Sequence, residues 1–167
     1  MKTILLLIVL AGAGWWYFVG SRTINEGQVT GFYQGQQAAT LERKPEVLCS
    51  LLADDFSATG SIALAGSSRN ESVTRQQLCD GYVDMYAAWE KLGSAMGGEV
   101  QLDSHYDIHA IEIAPDSKSA TVDISVSLDV AGNLTNMRSR STETLVRRNG
   151  KVLLLRSEGT ASVGAGD

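Results

Sequence analysis

A chain of 167 residues, 44 % of them hydrophobic, is long enough for one domain with a real core and too short for two comfortable ones. Its formal net charge is −5, with acids and bases interspersed and no basic stripe, which argues against nucleic acid as a partner. The wealth of Leu, Ile, Val and Ala argues against a disordered chain.

Met1 and Lys2 precede an apolar run, ILLLIVLAGAGWWYFVG, from Ile4 to Gly20. Two readings stand. A cleaved signal peptide would be cut near Ala11-Gly12-Ala13 or Val19-Gly20-Ser21. A retained anchor would cross the bilayer with about 17 residues, near the lower limit, with Lys2 inside and Trp15, Trp16 and Tyr17 at the outer interface. The anchor is preferred, and under both readings the rest of the chain is exported. No cysteine stands directly after the run, which argues against a lipoprotein. The short MKTILLL leader suggests a bacterium: a single-pass inner-membrane protein with its domain in the periplasm, or a periplasmic one if the leader is cleaved. Residues 1–22 are thus leader, 23–163 one domain and 164–167 a flexible tail. In an oxidising compartment Cys49 and Cys79 are a disulfide candidate; the other reading is two buried free thiols.

INEGQVTGFYQGQQAATLERK is predicted helical, with Val29, Phe32 and Tyr33 on one face. Gly27, Gly31, Gly35 and Ala39 recur every four residues, and close packing on a sheet or a neighbouring helix would offset their helix cost of roughly 1 kcal/mol per glycine. Pro45 suits the first turn of a second helix, PEVLCSLLADD, whose aspartates would end it facing water. FSATGSIALAGSSRN is predicted as one or two short strands with a turn. Thr74-Arg75-Gln76-Gln77 is a capping box, and Leu78, Tyr82, Met85, Trp89 and Leu92 then keep helical spacing until Gly93 stops the third helix.

The remainder reads as strand. Ala120, Val122, Ile124, Val126, Leu128 and Val130 alternate with polar residues. Asn149-Gly150, between ETLVRR and KVLLLRSEG, is a hairpin signal of the type I′ kind, which would set Glu143 across from Arg156 and Leu145 beside Leu154. The predicted class is α+β: after the N-terminal anchor helix, a cone of three helices packed on a strongly curved antiparallel sheet, read from a four-stranded meander.

In the order and spacing of KPEVLCSLLADDFSATG, TRQQLCDGYVDMYAAW, IHAIEIAPDSKSATVDISVSL and STETLVRRNGKVLLLRSEGTASV, the chain resembles the nuclear transport factor 2-like superfamily, the cone fold of SnoaL-like proteins and ketosteroid isomerase, over about residues 24–163. The resemblance implies a cystatin-like cone and leaves function open, since the superfamily holds isomerases and dehydratases beside non-catalytic binding and assembly modules. Ketosteroid isomerase-like sites use a Tyr on the first helix, an Asp base shortly after the Ala-Asp-Asp segment and a protonated Asp deeper in the sheet. Here Tyr33 lies about one turn from the expected Tyr. The base position falls near Gly60, where no carboxylate stands, and no acidic oxyanion partner is evident. Those departures argue against isomerase chemistry.

SHYDIH, residues 104–109, holds both histidines. It is predicted as a strand, so His105, Asp107 and His109 share a face with the histidines roughly 13–14 Å apart. That is too far for one ion at imidazole bond lengths of about 2.0–2.1 Å, and neither metal nor cofactor is expected. Tyr33, Tyr86, Trp89, His105, Glu143 and Arg156 are the ligand-pocket candidates, with Tyr33 and His105 as the weak candidates for acid–base work. The leading expectation is a membrane-tethered, non-enzymatic domain that binds an envelope protein or forms a homodimer. The alternative is a binder of, or an enzyme on, a small hydrophobic ligand in the cone.

Overall fold

The structure, a computed structural model, describes residues 23–64, 67–132 and 134–165. The leader at 1–22, with its anchor and cleavage readings, lies outside the described residues, as do 166–167. Three helices and six strands follow in the order α1 (Glu26–Leu41), α2 (Pro45–Ser50), β1 (Leu52–Leu64), β2 (Ser67–Thr74), α3 (Arg75–Met96), β3 (Leu102–Ile113), β4 (Ser119–Val130), β5 (Thr135–Arg148) and β6 (Lys151–Ala165). Among the described residues no helix is long and apolar enough to cross a membrane.

Local chemistry starts each helix. Asn25 caps α1 and Thr74 caps α3, each in a capping box with the glutamine three residues on. Pro45 opens α2. The third helix does not stop at Gly93: it runs to Met96, and Gly97 ends it in the left-handed conformation (φ 81°). Gly93 serves a different need. A Cβ there would overlap the Gly98 carbonyl, where the chain folds back beside the helix.

The second helix is shorter than predicted. Leu52, Ala53 and Phe56 are all buried as the start of β1, and the Leu154 N–H donates to the Leu51 carbonyl at 2.8 Å. Pairing with β6 thus overrides local helix preference. Asp54 and Asp55 do face water, but from a strand, where Arg148 forks onto Asp55 at 2.5 and 3.0 Å.

The six strands form one sheet in the order β2-β1-β6-β5-β4-β3. It is mixed rather than wholly antiparallel, because β1 runs parallel to β6. The alternation in β4 holds: Ala120, Val122, Ile124, Leu128 and Val130 are buried. Asn149 and Gly150 both take positive φ, 52° and 79°, as a type I′ hairpin requires. Strand β6 continues to Ala165, beyond the expected domain end at 163.

Curvature comes from two glycines side by side. Gly60 on β1 pairs with Gly159 on β6, and a Cβ on either would overlap backbone of the next strand. Such close approach lets the sheet bend around the helices. On its concave side lie two apolar clusters. One joins Val29, Phe32 and Tyr33 of α1 to Phe56, Ile124, Leu145 and Leu154; the other joins Leu48, Tyr86 and Trp89 to Val100, Leu128 and Val130. By contrast, Gly27, Gly31 and Gly35 of α1 face outward with nothing against Gly31 or Gly35, so of that stripe only Ala39, buried in the second cluster, packs closely.

Candidate functional site

Between the two clusters the cone stays open. A cavity of about 330 Å³ is walled by Tyr33, Gln36, Gln37 and Thr40 of α1 and by Tyr82, Met85 and Tyr86 of α3. Those positions follow helical spacing, so each helix turns one face to the hollow. Its floor is the concave sheet, where Tyr106, Val126, Leu128 and Met137 point inward at strand spacing. The volume lies near the small end of ligand sites, and the lining matches their usual mix of apolar surface and a few polar groups.

A smaller cavity of about 190 Å³ adjoins the first along Ile62, Ser139 and Ala161. Ser141, Ser157, Glu71 and Glu143 line it. The Tyr33 hydroxyl donates to Glu143 Oε2 at 2.8 Å, and the Ser141 hydroxyl donates to Oε1 at 3.2 Å. Tyr33 is 2 % exposed and Glu143 8 %, the one charged side chain fully buried among the described residues. Burial pushes the Glu143 carboxyl above its ordinary 4.5, against hydrogen bonds from Tyr33, Ser141 and Ser157 that favour its charged form. Burial, reinforced by the Glu143 charge, likewise raises the phenols of Tyr33 and Tyr82. Both therefore stay neutral donors at ordinary pH.

Of the six candidates, Tyr33 and Tyr86 line the cavity, Tyr86 with its hydroxyl donated to the Thr40 carbonyl at 3.1 Å. Glu143 lines the annex. Trp89 packs behind them, its ring edge-on to Tyr86 at 5.3 Å, and does not reach the hollow. His105 is on the outer face with its side chain 70 % exposed, 3.4 Å from Asp107, and His109 meets Ser125 at 2.8 Å. Period-2 alternation turns Tyr106 and Ile108 inward and both histidines out, so His105 has no access to the pocket.

Arg156 is also exposed and does not face Glu143. The expected pair is displaced by a bulge in β6: Leu145 still meets Leu154, but Thr144 then meets Arg156 and Glu143 meets Ser157. Glu143 thus turns inward without a basic partner and finds Tyr33. This acidic partner for the first-helix tyrosine was missed in the sequence, although Glu143 shares strand parity with the apolar Leu145. Tyr82 and Tyr106 carried the same signal, as aromatic members of apolar stripes.

The cysteine pair lies close in sequence to the cavity's lining without being part of it. Cys49 of α2 and Cys79 of α3 are at disulfide-bonding distance, with Cα atoms 5.5 Å apart. They neighbour Leu48 and, one turn on, Tyr82, both cavity residues.

Comparison with solved structures places this architecture. A protein from Novosphingobium aromaticivorans provisionally named a scytalone dehydratase superposes with a TM-score of 0.55 at 13 % identity, over 84 % of this chain and 86 % of that one. A ketosteroid isomerase-like protein from Erwinia carotovora atroseptica gives 0.51 at 13 %, over 84 % and 98 %. A nuclear transport factor 2-like protein of unknown function from Shewanella baltica gives 0.55 at 11 %, over 83 % and 92 %. No protein-family model matches the sequence, and no curated protein matches it. The chain has the nuclear transport factor 2-like fold, as its sequence resemblance implied. At these identities the likeness defines the fold and leaves function to the site.

Proposed function

We propose that this domain binds a small, largely apolar molecule in the cone. The observation that carries the reading is the 330 Å³ cavity left between two otherwise filled cores, walled by four tyrosines, two methionines and branched aliphatic side chains. A chain that needed the cone only as scaffold gains about 1.5–3 kcal/mol for each large apolar side chain it buries there, so a standing hollow of this size favours a ligand role. Binding is proposed rather than turnover: the main cavity is lined by no carboxylate or imidazole, and Glu143 is held in the annex by Tyr33 and Ser141.

We also propose export and tethering by the N-terminal apolar segment, and the cysteine pair at bonding distance is consistent with an oxidising compartment. Pairing of two copies through the outer face of the sheet is a second reading. It is favoured by a shallow groove there that carries Ser61, Ser125, Ser127, Thr160 and Ser162 beside the charged Asp107, Arg138 and Arg140.

Native mass spectrometry of the full chain purified from its own envelope tests the binding and dimer readings together. The expected result is a bound small molecule on the wild-type chain, absent from an Ala161→Trp variant whose indole fills the cavity. An unliganded wild-type spectrum, or an adduct unchanged by the variant, contradicts the binding role. A monomer-only spectrum contradicts the dimer.

A further inference from the structure

Glu143 has no use in a purely apolar pocket. A buried carboxylate is costly unless a cation or a full set of hydrogen bonds compensates it. Among the described residues no arginine, lysine or histidine forms an ion pair with it. Its donors are the neutral hydroxyls of Tyr33, Ser141 and Ser157. An ionised carboxylate offers about four acceptor sites, so beside these three donors one remains, and Glu143 lines the annex.

Among the described residues the annex lining holds no cation, and the main cavity's one, Arg138, is exposed on β5. Four of the chain's five tyrosines, Tyr33, Tyr82, Tyr86 and Tyr106, line the adjoining main cavity. Tyr33 and Tyr106 have ring centroids 5.9 Å apart. Aromatic rings attract ammonium groups, more strongly as water is removed, and Tyr33 is the ring hydrogen-bonded to Glu143. A carboxylate beside an aromatic ring, with serine hydroxyls around it, is the chemistry that recognises a protonated amine. The second carboxylate of the annex, Glu71, is already bonded to Arg69 at 2.6 Å and stands half-exposed on β2, so it supplies little further pull.

Resting on the ligand-binding reading above, we infer that the ligand is an amphiphile with a protonated amine head: its apolar body occupies the tyrosine-lined cavity and its ammonium donates to Glu143 in the annex. The head group replaces the missing counter-ion, while Tyr33 keeps the carboxylate aimed between the two hollows.

Octylamine, 1-octanol and octanoate share one chain length and differ in the head group. Their affinities are read from the ¹³C-methyl signals of Met85 and Met137, which line the main cavity. The expected order is amine tightest by at least tenfold over the alcohol, with octanoate weakest. Glu143→Gln is expected to bring amine and alcohol within threefold of each other, whereas Glu71→Gln keeps most of the amine's advantage. Equal binding of amine and alcohol overturns the inference, and so does an amine advantage that survives Glu143→Gln, which would reflect only the chain's overall negative charge. If none of the three binds, the ligand-binding reading itself fails. The head-group comparison on the unaltered chain decides the matter even if Glu143→Gln does not fold.

Discussion

At the residue scale the molecule turns on one carboxylate. Glu143 sits on a strand position whose neighbours at the same parity are Leu145 and Ser141, so the backbone aims it at the core. Its burial, and the neutral donors that meet it, make its protonation a stability matter. A carboxyl whose folded value exceeds its unfolded one is protonated more readily in the folded state. Its contribution is therefore fully present below the ordinary 4.5 and is lost as pH rises through the raised folded value. Glutamine, neutral at all pH, removes that dependence. Thermal melts are expected to show wild type losing ground to Glu143→Gln as pH climbs from about 4.5 toward neutrality; parallel profiles would contradict the assignment. The exposed pairs Asp55–Arg148 and Asp123–Arg140 do not imitate this behaviour. Their arginines lower those carboxyls, so their effect has the opposite sign and falls in more acid solution.

At the element scale, what was legible follows from periodicity and caps. The capping box of Thr74, the alternation of β4 and the Asn149-Gly150 turn are all local signals, and each reads the same in the fold; the Asn25 box is equally local but was not read. What was not legible depends on partners distant in sequence. Leu52 and Ala53 are extended because β6 reaches them, and Glu143 misses Arg156 because of one bulged residue in β6. The site suffered most from this: Tyr33 and Tyr86 were readable as aromatics on helix faces, but the Tyr33–Glu143 bond spans 110 positions. The glycines show the same divide. Those spaced four apart on α1 suggested close packing, yet Gly31 and Gly35 are open; Gly159 was unremarked, yet it has no room for a methyl group. Gly31→Ala and Gly35→Ala are each expected to stabilise the chain by about 0.5–1 kcal/mol in chemical denaturation. Gly159→Ala is expected to be the outlier, losing several kcal/mol or failing to fold. Comparable, mild effects at all three sites would refute the account of sheet curvature.

For the whole molecule, the fold is a curved sheet closed by three helices around two cores that do not meet. The gap between them is bounded by α1, α3 and Leu48 of α2 and floored by β1 and β3–β6, with Cys49 of α2 and Cys79 of α3 at bonding distance. Every proposal made for this chain, the binding role and the amine-headed ligand alike, depends on that gap admitting a guest. The chain's methionines report on it directly. Met85 and Met137 line the cavity, while Met96 stands 62 % exposed at the far end of α3. The decisive measurement is a methyl-methionine NMR titration of the full chain with 1-octanol, a neutral probe that needs only the apolar hollow. The account predicts saturable shifts at Met85 and Met137 with Met96 unmoved. Shifts at all three in parallel, or at none, would contradict it.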